Sequence, residues 1–395
     1  MTALRISHYT LTTALGRGAD AQRRALVEER GGLTSCSAEG FDDAQLPAWI
    51  GRVAGIESAP LPEDLREYEC RNNRLAWLGL QQDGFPAAVA AARERYGADR
   101  IGLFLGTSTS GVYQTELAYR ARNGSGELPG WYSYPHTQNC ASVGYCVRDA
   151  LALRGPTLVI STACSSSAKV FASAARYIQS GLIDAAVVGG VDSLCLTTLY
   201  GFSSLQLVSP QPCRPADAAR DGISIGEAAG FALLEKGPGA GVRLLGYGES
   251  SDAHHMSAPD PEGAGAQLSM QRALAKAGLR PADIDYINLH GTATPANDLS
   301  EGKAVYQLFG TRVPCSSTKG WTGHCLGAAG IVETLFCALA LEHGFAPKSL
   351  NTREVDAKIP NEILLETQRR ELRQVLTNSF GFGGSNCSLV LGQPA

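Results

Sequence analysis

The stretch Leu158–Gln179, LVISTACSSSAKVFASAARYIQ, restricts the possible folds of this chain more than any other. Leu158, Val159 and Ile160 suit a strand, and Ser161 to Ala163 are small enough for a tight turn. Val170, Ala174, Tyr177 and Ile178 then recur at helical spacing. Strand, turn and helix in that order put Cys164 on the turn. There it faces the unpaired N–H groups and positive dipole end of a helix, a setting that favours thiolate. Most cysteines are small buried hydrophobes; two histidine motifs far downstream set this one apart.

The same order of elements recurs along the chain. Strands are expected at Leu4–Tyr9, Ile101–Gly106, Ala185–Val191, Ala228–Leu234, Val242–Gly248, Tyr286–His290 and Val313–Ser316, with a closing hairpin of Val375–Ser379 and Cys387–Leu391. Helices are expected at Asn72–Gln81, Ala87–Tyr96, Gln267–Ala277, Leu299–Leu308 and Leu326–Leu341. Strand, small-residue turn, helix, strand, strand therefore occurs twice, once around Cys164 and once around His324. Alternation of this kind predicts an α/β architecture with buried sheets. The aromatic and polar segment Trp131–Cys146 reads as a loop at a subunit contact or pocket wall, and its His136 as structural.

Composition narrows the function. With 395 residues, 44% hydrophobic content and net charge −4, nothing favours nucleic acid or an anionic membrane as partner. The first residues, MTALRISHYTLTTALG, lack the apolar core and cleavage site of a signal peptide, and no later run is read as a membrane span. Eleven cysteines without a C-x-x-C pair then imply reduced thiols and a cytoplasmic protein.

Three further segments carry chemistry. In YINLHGTATPAND, His290 ends an apolar strand ahead of a glycine, Thr292 and Thr294 share one side, and Asp298 is placed to cap the next helix. In STKGWTGHCLGAAG, Lys319 precedes His324, and a small-residue helix carrying Glu333 follows. In NSFGFGGSN, residues 378–386, a glycine-dense turn surrounds Phe382.

Together these segments resemble the condensing enzymes, specifically β-ketoacyl-[acyl-carrier-protein] synthases of the elongating Cys-His-His type. The matching residues are Thr162-Ala-Cys164-Ser-Ser, His290-Gly-Thr-Ala-Thr, Lys319 with Gly323-His324-x-Leu-Gly-Ala-Ala-Gly330, and Asn378-Ser-Phe-Gly-Phe-Gly-Gly. Arg214-Pro-Ala-Asp217, Arg220-Asp-Gly222 and Gly226-Glu227 add to them. The resemblance implies a thiolase-like duplicated fold, layered αβαβα with two mixed five-stranded sheets. Residues 1–240 would form the half carrying the nucleophile, and residues 241–395 the half carrying both histidines.

The implied reaction is decarboxylative Claisen condensation of an acyl thioester with malonyl-acyl carrier protein, in fatty-acid, polyene or polyketide elongation. Cys164 would hold the acyl group, and the backbone N–H groups of Cys164 and Phe382 would form the oxyanion hole. His290 and His324 would stabilise the enolate, with Lys319, Glu333 and Asp298 supporting them. Thr292 and Thr294 would grip the pantetheine arm, while Phe382 and Phe202 would gate the acyl pocket. No metal and no cofactor is implied beyond the phosphopantetheine arm of the acyl carrier protein. The implied assembly is a homodimer, or a heterodimer with a chain-length-factor-like subunit. The alternative is that the chain is itself such a non-catalytic subunit, against which the intact Cys164 motif argues. Three positions depart from the family pattern: Lys169; Trp321, which could narrow the pocket or reshape the dimer contact; and Ala216, which could widen its mouth.

Overall fold

Continuous apolar runs such as Ile101–Gly106 and Ala185–Asp192 are buried along their whole length, as strands sandwiched between helical layers require. The computed structural model describes residues 2–39, 41 and 44–393. Among the described residues the main sheet has eleven strands, ten of them in one continuous path: β1 (Leu4–Thr13), β2 (Ile101–Gly106), β3 (Thr157–Ile160), β4 (Ala185–Asp192), β5 (Ala228–Glu235), β6 (Arg243–Ser251), β7 (Tyr286–Asn288), β8 (Cys315–Ser316), β9 (Gln374–Gly381) and β10 (Ser385–Gly392); the short strand Gly16–Arg17 pairs with β1. The helices that matter for the site are α1 (Arg71–Leu80), α2 (Ala141–Ala150), α3 (Ser166–Gln179), α4 (Ala264–Ala277), α5 (Pro295–Phe309) and α6 (Ala329–His343).

Strand order shows the duplication directly. The first five strands lie in the order β1-β5-β4-β2-β3 and the second five in the order β6-β10-β9-β7-β8, the same permutation shifted by five. In each half the inner pairs are antiparallel and the outer two parallel. The two five-stranded sheets expected from the sequence are present, but they are continuous: β1 pairs with β6 at Leu4↔Leu244 and Arg5↔Arg243.

Three apolar cores divide the layers. Helices α1 and α2 cover one face of the first sheet half, through Leu75, Leu78, Val143 and Val147 against Leu103, Leu105, Val187 and Phe231. Helices α4 and α5 cover the far face of the second half, through Met270, Ala273, Ala304 and Val305 against Ile287, Leu376 and Val390. Between the two halves lie α3 and α6, packed against strands of both. Five layers result, α, β, α, β and α.

Two expectations change here. The segment Trp131–Cys146 is loop only as far as residue 140, because helix α2 begins at Ala141 and buries Val143, Cys146 and Val147. The aromatic residues had masked its apolar stripe. In addition, Leu326–His343 is an 18-residue apolar run of mean hydropathy 1.4, long enough to cross a membrane by length alone, and 89% of it is buried inside the fold. It is apolar all round because α6 has protein on every side.

Small residues bring α3 and α6 together. A Cβ on Gly330 would lie 2.4 Å from the backbone nitrogen of Ala168, and one on Gly190 would lie 2.5 Å from the Ser167 Cβ. Ser167 Oγ accepts the Ile331 N–H at 2.9 Å, so the start of one helix is satisfied by a hydroxyl of the other. The turns that precede these two helices carry Cys164 and His324, and close packing of the helices makes the turns meet.

Candidate active site

Cys164 is presented by a strained turn between β3 and α3. Ala163 has φ +52°, a conformation costing an L-residue roughly 1–2 kcal/mol, and hydroxyls hold it in place. Ser166 Oγ accepts the Thr162 N–H at 2.8 Å and donates to the Ala163 carbonyl, while Ser165 Oγ donates to the Thr162 carbonyl at 2.9 Å. Such short hydroxyl side chains fit a turn that bulky residues would open. Across from it, a Cβ on Gly381 would lie 2.8 Å from the Thr162 carbonyl oxygen, so glycine is what allows the 381–384 turn to approach. The Phe382 N–H is thereby aimed at the Cys164 sulfur.

The expected thiolate is not the resting state. Burial pushes the Cys164 thiol up to about 11, and this outweighs the lowering by the Lys319 charge and the Phe382 N–H. The sulfur is buried, so desolvation of an anion there exceeds what a nearby dipole returns.

Both histidines converge on this sulfur. One ring nitrogen of each and Cys164 Sγ all lie within 4.8 Å of one another, and the rings pack edge to face at 5.3 Å. His324 Nε2 is 3.1 Å from Sγ, while its Nδ1 accepts the Leu326 N–H at 3.1 Å. His290 Nδ1 is 3.2 Å from Lys319 Nζ, an ammonium that can only donate. With Nδ1 an acceptor in both rings, each neutral imidazole must carry its proton on Nε2. Burial first, and the Lys319 charge second, hold both well below the usual histidine range, so both are neutral donors.

Lys319 and Glu333 form a buried ion pair rather than a surface one, and Lys319 Nζ also reaches the His290 carbonyl oxygen. Asp298 departs from expectation. It lies inside the first turn of α5 rather than at its cap, where its carboxylate accepts the N–H groups of Ala216 (2.8 Å) and Ala293 (3.2 Å) and faces Arg220. It therefore supports the loop after His290, not the imidazole. Glu301, which the sequence reading missed, grips that loop more directly: its two oxygens accept the His290 and Gly291 N–H groups, each at 2.8 Å. Asn378 Nδ2 adds a third bond, and burial pushes this carboxyl up to about 7. Its only sequence signal is a glutamate on the buried face of a helix that begins just after a histidine.

A cavity of about 410 Å³ runs from Cys164, His290 and His324 past Thr292 and Thr294 to the surface. The two threonine hydroxyls are 2.9 Å apart. Phe202 and Phe382, with ring centres 5.7 Å apart, lie on the cavity wall with Leu205, Leu207 and Ile223. The departing positions lie elsewhere. Trp321 is fully buried in the central core with its Nε1–H on the Lys348 carbonyl, and Ala216 borders a small void behind Gly291 and Glu301, not the mouth. Lys169 pairs with Glu249 at 3.5 Å. His136 is on the surface beside Tyr68 and Glu67.

Comparison with known proteins gives the same picture across the chain. Residues 73–240 match the family described as "Beta-ketoacyl synthase, N-terminal domain", and residues 242–353 match "Beta-ketoacyl synthase, C-terminal domain". A 3-oxoacyl-[acyl-carrier-protein] synthase 2 of Rhizobium meliloti is 43% identical over 258 residues, 60% of this chain and 61% of that protein, so the match spans about three fifths of that relative. The protein of the same name from Staphylococcus aureus strain COL is 33% identical over 374 residues, 86% of this chain and 90% of the relative. Among solved structures, the ketosynthase in complex with its chain length factor from Xenorhabdus doucetiae superposes with a TM-score of 0.90 at 39% identity, covering 99% of this chain and 98% of that one.

Proposed function

The chain belongs to the β-ketoacyl synthase family, and from that premise we propose that it is a condensing acyltransferase extending a carrier-bound acyl chain by two carbons. One observation supports this above the others. A buried thiol and two neutral imidazoles, both protonated on Nε2, line one cavity of about 410 Å³ together with Thr292 and Thr294.

The chemistry follows from the partners of each atom. Cys164 sulfur attacks the carbonyl of an acyl thioester, whose oxyanion is received by the Cys164 and Phe382 N–H groups, and the pantetheine thiol leaves with the proton. The malonyl thioester then enters with its carbonyl oxygen towards His290 and His324. Loss of carbon dioxide leaves an enolate whose oxygen accepts both Nε2–H groups. Neutral donors suit this step because they keep their protons while the charge develops. The enolate carbon attacks the acyl-Cys164 carbonyl, the sulfur is expelled, and a 3-oxoacyl thioester departs on the carrier. Lys319 and Glu333 hold His290 as an acceptor at Nδ1, and Thr292 with Thr294 offers hydroxyls to the arm's amides.

The remaining readings extend this one. The substrates ride on an acyl carrier protein, no metal or other cofactor is needed, and residues 1–240 and 241–395 act as the two halves of the duplication. A dimer, with a second copy or with a chain-length-factor-like subunit, is supported by the half-buried outer strand β3 and by the Xenorhabdus doucetiae complex. A cytoplasmic location fits eleven free cysteines, ten of them buried.

Incubating the purified protein with acyl- and malonyl-carrier protein tests the central claim. The expected result is an intact-mass increase on Cys164 equal to the acyl group, then a 3-oxoacyl carrier two carbons longer with release of carbon dioxide. An enzyme that acylates but never yields the extended product overturns it.

A further inference from the structure

The carboxylate of Asp192, at the end of β4, is fully buried and surrounded by donors. Its Oδ1 accepts Thr107 Oγ1 at 2.6 Å, the Ser108 and Thr109 N–H groups at 2.8 and 2.9 Å, and Thr109 Oγ1 at 2.9 Å. Its Oδ2 accepts Ser108 Oγ and the Gly327 N–H, both at 2.6 Å. The loop after β2 supplies every one of these donors except Gly327, which belongs to the other half of the fold and lies three residues beyond His324.

This last contact bears on the catalytic imidazole. A Cβ on Gly327 would stand 2.8 Å from Asp192 Oδ2 and 2.7 Å from the Ser108 nitrogen, so this approach is open only to glycine. Between His324 and Gly327, Leu326 adopts φ +51°, a left-handed bend that a leucine holds only when its surroundings impose it. The bend follows directly on the Leu326 N–H, which points back onto His324 Nδ1 at 3.1 Å, the contact that leaves the proton on Nε2. In the duplicated fold, the Thr107–Ser110 loop follows β2 as the His290–Thr294 loop follows β7, and Asp192 ends β4 as Gly381 ends β9. One half presents its corner to substrate, and the other uses the equivalent corner as a brace.

We propose that Asp192 is a positioning residue for decarboxylation: by anchoring Gly327 it maintains the Leu326 bend, and so keeps His324 as an Nε2–H donor. The inference rests on the reading of His324 as a donor to the malonyl carbonyl. Asp192→Asn keeps the shape but turns an amide NH₂ either against the Gly327 N–H or against the Ser108 and Thr109 N–H groups, none of which can accept. Gly327→Ala breaks the same hydrogen bond from its other end and keeps the carboxylate.

The test compares both full-length variants with the parent protein. Nitrogen NMR of histidine-labelled samples reads the His324 tautomer, and carbon dioxide release from malonyl-carrier protein reads decarboxylation. Acylation of Cys164 by an acyl-N-acetylcysteamine thioester reads the other half-reaction. The variants are expected to show mixed His324 tautomers and decarboxylation lowered about ten- to a hundredfold, short of the roughly 10²–10³ for outright loss of a donor, with acylation, which also meets His324 Nε2 at the sulfur, lowered less. An unaltered tautomer, or equal losses in both half-reactions, overturns the proposal. If the parent protein acylates yet releases no carbon dioxide, the condensing function fails, while the NMR comparison still decides whether Asp192 sets the tautomer.

Discussion

Replacing His290 by alanine separates the two half-reactions, and the structure sets the size of the effect. The imidazole is one of two Nε2–H donors aimed at the same point, and its removal leaves the enolate with His324 alone. Loss of one preorganised donor from a buried site lowers a rate by about 10²–10³, or about 2.7–4 kcal/mol. Acyl transfer should be spared, because the contacts on Cys164 Sγ are His324 Nε2 at 3.1 Å and the Phe382 N–H. The fold should survive as well. Lys319 keeps Glu333 and the residue 290 carbonyl, and loses only the Nδ1 acceptor, a cost of about 1–3 kcal/mol. Two assays on the same sample decide the matter: intact mass after exposure to an acyl carrier, and carbon dioxide release from malonyl carrier. Decarboxylation within about threefold of the parent, or acylation falling in proportion to it, would refute the division of labour between sulfur and imidazoles.

Cys164→Ala should abolish acylation in the intact-mass assay with the melting temperature little changed; a mass increase persisting on the variant would move the nucleophile elsewhere. Decarboxylation should be flat from pH 8 to pH 6, since burial holds both histidines neutral well below their ordinary value, and a one-proton transition near 6.5 would contradict the neutral-donor assignment. Glu301, raised from 4.5 to about 7 by burial, binds a proton in the folded state that the unfolded chain has already released. Its stabilising contribution is therefore complete below about pH 4.5 and lost by about pH 7, on the order of 3 kcal/mol in all. Glu301→Gln should flatten that part of the stability-against-pH curve, measured by denaturant unfolding at pH 5 and pH 7, and an unchanged slope would show that the carboxyl titrates normally.

How much of this was legible in the sequence depends on the range over which each residue acts. Cys164 and His290 stand out because each follows a strand with small residues after it, and His324 because a small-residue helix follows it, local patterns that fix where the side chain emerges. Strand positions were legible for a similar reason, since apolar runs such as Ala185–Asp192 have one way to be buried. Asp192 and Glu301 were not, because an acidic residue at a strand end or within a helix reads as an ordinary surface carboxylate until the chain is folded. Their partners are Gly327, 135 residues away, and His290 on a neighbouring element. The thiolate expectation failed in the same way: a helix terminus can be read locally, whereas the desolvation that outweighs it comes from walls supplied by both halves. Trp321 and Ala216 suggested an altered pocket because they lie near the motifs in the chain, yet their side chains turn into the central core and towards a void behind Gly291. What the sequence left open is thus the set of tertiary contacts these buried groups make, within a half as for Glu301 and between halves as for Asp192. Those contacts fix on which nitrogen His324 carries its proton, and with it whether the pair of imidazoles can act as donors at all.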